Sequence, residues 1–248
     1  YEAVHEINSW NDLRDRLEPD DRLCFSFFHP SMQDEPLIFV VVALMDKIPE
    51  SINQVLSQDR EKVSKGNETT AVFYSISNCQ KGLKGISFGN FLIKQVANAI
   101  RTDYPNIKDF VTLSPVPGFM DWLELNNNEL FKSIDNGQFI NETDEYKDDI
   151  LKNSLDYFFN SERSDKLPND SVARFHLGNG AYLHRINFLG DLSNKALNSA
   201  AGLMVNYKYD LDKIEENHEE FFKEKNIICS NEIQLMKKNY HKKKMKFG

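Results

Sequence analysis

The sequence predicts a single α/β domain, and three observations lead to that prediction. Residues 37–45 (LIFVVVALM) are a continuous apolar run, which is shorter than the roughly 18 residues of a membrane span and typical of a strand buried on both faces. Residues 70–113 read as a strand, a glycine-rich turn, a helix and a second strand. The chain of 248 residues is long enough for one large domain or two small ones, and no internal repeat or convincing linker divides it.

The glycine-rich turn joins a predicted strand at 70–77 to a predicted helix at 86–100, and a second strand is predicted at 107–113. The first backbone N–H groups of a helix have no partner within the helix, and with the helix dipole they attract anions such as phosphate. The glycines match neither a Walker loop nor a GxGxxG motif. Phosphate binding and simple packing of a strand–helix–strand unit therefore fit the pattern equally well.

The remaining elements follow from periodicity and from turn residues. A strand is predicted at 22–28, because Pro30 disfavours continuation beyond His29. Residues 172–186 (VARFHLGNGAYLHRI) are predicted to form a β-hairpin that turns at Asn179-Gly180. Helices are predicted at the end of 2–17, with Asn8, Ser9 or Asn11 as the cap, and at 48–60, 119–125, 146–159, 192–205 and 211–225. Residues 126–149 are predicted as a polar surface excursion, 160–170 as a loop and 229–247 as a solvated basic tail.

Composition and spacing exclude several classes of function. The net charge of −8 argues against a general nucleic-acid binder or a protein of anionic membrane surfaces, so an anionic ligand would need a local basic patch. The three cysteines show no CxxC spacing, which argues against a disulfide framework and a cysteine zinc site and fits a reducing compartment. The six histidines form no HxH, HExxH or HxxxH pattern, so no metal site is predicted.

The sequence contains no evident membrane span or signal peptide. It begins at Tyr1 without a methionine, so the chain is expected to be a fragment that lacks N-terminal sequence.

Three polar side chains occupy positions where catalytic or binding residues are commonly found, at the ends of predicted elements. Ser114 directly follows a predicted strand, and the prolines after it restrict the chain at that corner. His176 lies on the first arm of the predicted hairpin, and Tyr209 follows in the sequence NYKY. Structural interpretations stay open for all three: a turn serine bonded to its own backbone, a buried histidine and a packing aromatic. Cys79, in the glycine-rich turn, is either a nucleophile or an incidental thiol.

Seven segments, taken in order along nearly the whole chain, resemble the catalytic part of the malonyl-CoA decarboxylase family. They are YEAVH at Tyr1, HPSM followed by EPLIFVVVAL, FYSIS at Phe73, GLKGISFGNFLIK, TLSPVPGF at Thr112, ARFHLGNGAYLHRIN at Ala173 and GLMVNYKY at Gly202. The resemblance implies a fold like that of the GCN5-related N-acetyltransferases, with a mixed central sheet flanked by helices on both faces. It also implies that the turn at 81–90 cradles the pyrophosphate of CoA.

Carried over residue by residue, the resemblance implies that Ser114 and His176 are the catalytic pair. Ser75 and Tyr209 would be supporting polar groups that contact the substrate. The CoA-binding loop would comprise Lys84, Gly85, Ile86, Ser87, Phe88, Gly89 and Asn90. The sequence departs from the family at Ser87, where a glutamate is frequent, and in a shorter segment between Trp122 and Ser171. The family's N-terminal helical domain is expected to be absent from this chain.

The activity that the resemblance implies is decarboxylation of malonyl-CoA to acetyl-CoA and CO₂ in fatty acid metabolism. Ser114 would orient the malonyl group and His176 would protonate the enolate carbon. No metal or organic cofactor is expected, because the thioester itself accepts the electrons. The expected partners are malonyl-CoA and acetyl-CoA, with no nucleic acid and no membrane span.

The resemblance also implies a homo-oligomer, a tetramer formed through the N-terminal domain. The expected location is the cytoplasm or the mitochondrial matrix, because the C-terminal Lys246-Phe247-Gly248 is not a peroxisomal Ser-Lys-Leu signal. Two alternatives stay open from the residues: a CoA-dependent acyltransferase of the same fold, and a non-catalytic module that binds acyl-CoA.

Overall fold

The computed structural model describes residues 5, 7, 9–80, 82, 91–135, 139–140, 143–161 and 163–246. The chain divides into two compact units. The first unit comprises Tyr1–Leu113 and Tyr209–Leu211, and the second comprises Ser114–Lys208 and Asp212–Gly248. That both belong to one catalytic domain remains a prediction. In the described part of the chain, none of the helices combines the length and apolar character needed to cross a bilayer.

The strands are β1 (Arg22–His29), β2 (Met32–Met45), β3 (Thr70–Asn78), β4 (Asp109–Thr112), β5 (Ser114–Pro115), β6 (Tyr182–Asn187) and β7 (Met204–Tyr209). The helices are α1 (Trp10–Leu17), α2 (Ile52–Leu56), α3 (Phe91–Asp103), α4 (Phe119–Asn126), α5 (Asn128–Ile134), α6 (Thr143–Phe159), α7 (Ser171–Gly178), α8 (Asn194–Ala200), α9 (Ile214–Lys223) and α10 (Asn231–Lys246).

The first unit is built on a mixed sheet. β1 pairs with β2 and β2 with β3 in antiparallel register, whereas β3 and β4 are parallel, with Val72 opposite Val111. The apolar half of β2 is buried, and Val40 and Val42 have no exposed surface. The predicted central strand is therefore confirmed, although β2 begins earlier, at Met32. The strands predicted at 22–28, 70–77 and 107–113 are also confirmed.

Helix α3 confirms the C-terminal part of the helix predicted at 86–100. Its buried side chains recur at helical spacing, at Ile93, Val96, Ala97 and Ile100. Residues 86–90 lie outside the described residues, as does most of the glycine-rich turn. The helix predicted at 48–60 is wrong in extent, because α2 covers only Ile52–Leu56 and Ser57 is already extended, with ψ of 140°.

In the second unit residues 204–208 of β7 form the central strand, with β5 and β6 antiparallel to it. The helices predicted at 119–125, 146–159 and 211–225 correspond to α4, α6 and α9. Residues 192–205 contain the shorter α8 and the start of β7 instead of one helix. The left-handed backbone of Ala201, with φ of 50°, ends α8.

The polar segment 126–149 was predicted as a surface excursion, and this prediction is wrong. Asn127 caps α5 by accepting the Leu130 N–H, and α6 begins at Thr143. Leu130, Ile134 and Phe139 are buried. Asn127, one of the polar residues of this segment, thus caps a helix. A few buried apolar residues are enough to anchor the helices.

The hairpin predicted at 172–186 is also wrong, because residues 171–178 form α7. The Asp170 carboxylate caps this helix by accepting the Ala173 N–H at 2.6 Å. Asn179-Gly180 ends it: the Gly180 N–H donates to the Leu177 carbonyl and the Ala181 N–H to the His176 carbonyl. This is a Schellman ending, with Gly180 left-handed at φ of 83°. Only the second arm is a strand, β6.

The basic tail predicted at 229–247 is helical over Asn231–Lys246. It is attached to the second unit, since Ile233 is buried and the Tyr240 hydroxyl donates to Asp156 Oδ2 at 2.6 Å.

Candidate active site

Ser114 begins β5 and lies opposite Val205 of β7. Its side chain is buried. The chain then leaves the sheet through Pro115 and Pro117, and α4 begins at Phe119. The short strand and the two prolines fix the position of the serine hydroxyl at the end of a rigid element.

His176 is held by a capped helix. It lies in the last turn of α7 and is buried together with Ala173 and Leu177 at helical spacing. Two side chains of α9 fix the end of α7: Asn217 Nδ2 donates to the Gly180 carbonyl at 3.1 Å, and His218 Nδ1 lies 2.6 Å from the Gly178 carbonyl oxygen. The imidazole is therefore positioned from both ends of its helix.

Ser114 and His176 meet in the fold although they are 62 positions apart in the sequence. Ser114 Oγ lies 3.1 Å from His176 Nε2, in a buried hydrogen bond whose donor depends on the imidazole tautomer. A serine hydroxyl on the ring nitrogen of a buried histidine can pass a proton or hold a reacting group in a fixed position. The structure thus brings the two predicted catalytic residues together, while their roles remain a prediction.

Two aromatic rings enclose the imidazole. The Tyr207 ring is stacked on it, with centroids 4.9 Å apart and planes inclined by 25°, and the Phe175 ring meets it edge-on at 5.0 Å. Tyr207 is not among the site residues predicted from the sequence. Strand alternation could have found it, because Tyr207 follows Val205 by two residues and so faces the same side of the sheet as the partner of Ser114.

Burial sets the protonation state of the histidine. With little water to solvate a cation, the pKa of His176 is lowered to about 3. The ring is therefore neutral at neutral pH, with one nitrogen as donor and the other as acceptor. A neutral imidazole can accept the Ser114 proton or donate its own N–H, and it becomes a cationic acid only when a negative charge arrives beside it.

Tyr157 links the corner after Ser114 to the helix that carries His176. Its hydroxyl donates to Asp170 Oδ2 at 3.3 Å, while the other carboxylate oxygen caps α7. A side chain at Gly118 would clash with the same hydroxyl, at 2.7 Å, so the glycine permits this close approach. Burial and then the charge of Asp170 raise the pKa of Tyr157, which keeps the phenol protonated as a donor.

The predicted supporting groups Ser75 and Tyr209 belong to the first unit. Both are buried. Ser75 Oγ lies 3.3 Å from Ser77 Oγ, and the Tyr209 ring meets that of Phe73 edge-on at 6.3 Å. Burial raises the pKa of Tyr209, so it is a neutral phenol. The predicted CoA-binding residues Lys84, Gly85, Ile86, Ser87, Phe88, Gly89 and Asn90 lie outside the described residues.

Neither thiol chemistry nor a metal centre is suggested by the described residues. Cys24, Cys79 and Cys229 are free thiols. Burial raises the pKa of Cys79, which disfavours the thiolate that a nucleophile needs. Within the described ranges, no three His, Cys, Asp or Glu side chains cluster in a way that could hold a metal ion.

The sequence matches a family model and named relatives. The model of the malonyl-CoA decarboxylase C-terminal domain matches residues 1–246. Mitochondrial malonyl-CoA decarboxylase of Anser anser anser is 36% identical over 274 residues, which cover 94% of this chain and 53% of the relative. The chain thus spans about half the length of the curated relatives it matches.

Solved structures agree with the sequence comparison. The crystal structure of malonyl-CoA decarboxylase from Agrobacterium vitis superposes with a TM-score of 0.89 at 47% identity, covering 95% of this chain and 62% of that one. The GphF GNAT-like decarboxylase, solved with isobutyryl-CoA, shares the fold at a TM-score of 0.54 and 16% identity, over 82% of this chain and 85% of that one. The predicted GNAT-like α/β fold and the predicted family resemblance are confirmed. The chain belongs to the malonyl-CoA decarboxylase family, of which it matches the C-terminal domain.

Proposed function

We propose that this chain decarboxylates malonyl-CoA to acetyl-CoA and CO₂, with Ser114 and His176 at the reacting group. The observation that supports this most is the buried 3.1 Å hydrogen bond between Ser114 Oγ and His176 Nε2. Family membership indicates malonyl-CoA as the substrate. The hydrogen bond means that a hydroxyl and an imidazole lie close enough to act on one bound malonyl group.

The chemistry requires a place for negative charge and a source of one proton. Cleavage of the bond between the α-carbon and the carboxylate releases CO₂ and leaves its electron pair on the α-carbon and the thioester oxygen, as an enolate. One proton then adds to the α-carbon. The reaction consumes that proton from solvent, so no oxidant, metal or organic cofactor is needed to balance it, and the thioester itself is the electron sink.

We assign the proton delivery to His176. In the free protein the ring is neutral, because burial lowers its pKa to about 3. The malonyl carboxylate would bring a negative charge beside the ring, which favours the imidazolium and raises its pKa. As CO₂ leaves, the same imidazolium would be next to the developing enolate, which it would stabilise and then protonate.

We assign the orientation of the malonyl group to Ser114. Decarboxylation is fastest when the breaking bond lies perpendicular to the plane of the thioester, so that its electrons enter the carbonyl π system. A hydroxyl fixed between the sheet and two prolines can hold the carboxylate or the thioester oxygen in that orientation. Such positioning lowers the activation barrier, because the bound substrate already has the geometry that the reaction requires.

We infer that the loop Lys84–Asn90 binds the CoA pyrophosphate, and that Ser75 and Tyr209 support the substrate. The support is the family membership together with free N–H groups expected where a helix begins. Ser87 stands where the family often has glutamate, so in this chain the orientation of Ser114 would have to be achieved without that carboxylate.

The test is release of labelled CO₂ from malonyl-CoA, with methylmalonyl-CoA beside it. General acid catalysis contributes about 10²–10⁴ in rate, so His176→Asn and Ser114→Ala should each lower turnover by that factor while CoA still binds. His29→Asn and Ser64→Ala, at exposed positions, are matched controls and should keep full activity. Full activity in both site variants would refute the assignment.

The same preparation separates the alternative functions. Release of CoA from acetyl-CoA that depends on an added amine would indicate an acyltransferase. Tight CoA binding without CO₂ release would indicate a binding module. A tetrameric assembly, and a location in the cytoplasm or the mitochondrial matrix, remain inferences from the family.

A further inference from the structure

The second unit contains a basic cavity that the proposed reaction does not use. It has a volume of about 240 Å³ and lies beside the end of α6, the middle of α10 and the loops that follow α6 and α9. Its apolar wall includes Phe158, Phe159 and Pro168. Neither Ser114 nor His176 lines it.

The cavity is positively charged although the chain carries a net charge of −8. Lys166, Lys225 and Lys237 line it, against a single carboxylate, Asp156. Among the described residues, Lys225 and Lys237 form no ion pair. The Lys237 ammonium lies 3.6 Å from the centroid of the Phe159 ring, so the aromatic face holds this cation at the apolar wall.

The acidic residue of the cavity is already bonded. Asp156 Oδ1 accepts from Asn160 Nδ2 and Oδ2 accepts from the Tyr240 hydroxyl, each at 2.6 Å. Both donors are neutral, so Asp156 does not neutralise the lysines through direct contact. Lys225 in the loop after α9 and Lys237 on α10 therefore line the same cavity, and neither has a counter-ion in the described part of the chain.

We propose that this cavity binds a small phosphate monoester that carries an apolar or aromatic group. Lysine ammonium groups bind phosphate as point charges, and the phenylalanine and proline walls suit an apolar substituent. The cavity lies just below the roughly 300 Å³ at which pockets for drug-sized ligands begin, so the ligand is small. This inference does not depend on the proposed decarboxylation.

The lysines also have a competing structural explanation. The carboxyl ends of α6 and α9 lie at this cavity, and helix carboxyl ends attract cations. On that explanation, removing a lysine lowers stability and leaves phosphate binding unchanged. The two explanations therefore predict different outcomes for the same variants.

The test is calorimetric titration of the whole chain with phenyl phosphate, with benzyl alcohol as the uncharged control. We expect one site for phenyl phosphate, weakened at about 0.5 M salt, where charges are screened within a few ångströms, and no binding of the alcohol. Lys225→Gln and Lys237→Gln should each weaken binding about tenfold, as expected for loss of one charge-assisted hydrogen bond.

Lys195→Gln, on the exposed face of α8, is the matched control and should bind like the wild type. A site that persists unchanged in the Lys225→Gln/Lys237→Gln double variant would lie elsewhere, for example at the CoA loop, and would overturn the proposal. Absence of binding at about 5 mM phenyl phosphate, the range of a millimolar Kd, would overturn it as well. Loss of thermal stability with unchanged affinity would establish the helix-end explanation instead.

Discussion

The imidazole of His176 lies nearly parallel to the ring of Tyr207, with centroids 4.9 Å apart. Strand β7 explains this contact, because Val205 pairs with Ser114 and Tyr207 follows two residues later on the same face. The strand that neighbours the serine thus also supplies the ring that supports the histidine. The stack restricts the plane of the imidazole and so the direction in which Nε2 points.

Tyr207 should therefore act as a positioning residue for the proposed reaction. Tyr207→Phe keeps the stacked ring and should keep turnover within about threefold, whereas Tyr207→Leu should lower kcat about 10- to 100-fold, since small misplacement of a reacting group costs up to about 10². KM should change less than kcat, because Tyr207 is not part of the loop that we propose to bind CoA. Steady-state CO₂ release measures both constants. Equal loss in the Phe and Leu variants would contradict a role for the stack.

The buried histidine should also make stability depend on pH. The pKa of His176 is about 3 in the folded chain and about 6.5 when unfolded. Between these values the unfolded state takes up the proton, so stability is full above about pH 6.5 and is lost as pH falls towards 3. From pH 7 to 5 this group should cost about 2 kcal/mol.

Urea unfolding at pH 7 and pH 5 measures this effect. His176→Asn removes the titration, so its free energy of unfolding should fall by less between the two pH values than that of the wild type. The exposed His29→Asn is the control and should show the wild-type difference. If the free energy of unfolding changed equally with pH in the wild type and both variants, His176 would not be the group responsible for the change.

The resemblance to the family implies the pair Ser114 and His176, and the local patterns place Ser114 correctly but His176 on the wrong kind of element. Ser114 was predicted at the end of a strand and is found in β5. His176 was predicted on a strand and lies on α7. Asn-Gly suits both a hairpin turn and the left-handed end of a helix, and the decision between them depends on the Asp170 cap, which a period-two pattern does not contain.

Other errors have a related cause. Tyr207 is not predicted as a site residue, because the helix predicted at 192–205 includes the first two residues of β7 and so hides where that strand begins. The segment 126–149 is predicted as a surface excursion because its polar residues outnumber the few buried residues that anchor its helices. The long apolar strand β2 was predicted correctly, since a buried strand in a mixed sheet needs apolar residues on both faces. A long buried strand is thus predictable from its own residues, whereas a pattern that suits two structures, such as Asn179-Gly180, is decided by contacts with other parts of the chain.

The cap of α7 should be measurable through Asp170. Asp170→Ala removes the acceptor for the Ala173 N–H and should lower the free energy of unfolding by about 1–2 kcal/mol. Asp170→Asn keeps an oxygen acceptor and should cost less. Asp165→Ala, at an exposed position, is the control and should stay within about 0.5 kcal/mol. Chemical denaturation gives the three values, and an equal cost for Ala and Asn at 170 would argue against capping.

Gly180 should tolerate no side chain, and Gly66 provides the matched comparison. Both have positive φ, 83° and 93°, but a Cβ at Gly180 would collide with the Ile214 carbonyl at the start of α9, whereas one at Gly66 would meet open space. Gly66→Ala should therefore cost only the left-handed backbone, about 1–2 kcal/mol. Gly180→Ala adds the collision with backbone and should cost about 4 kcal/mol or more.

Gly180→Ala should also lower turnover, because α9 holds the end of the helix that carries His176. Urea unfolding of both variants beside the CO₂ assay checks this. Equal costs at the two glycines would mean that α7 and α9 separate easily, and the position of the imidazole would then have to be fixed by the stack on Tyr207 and the Asp170 cap alone.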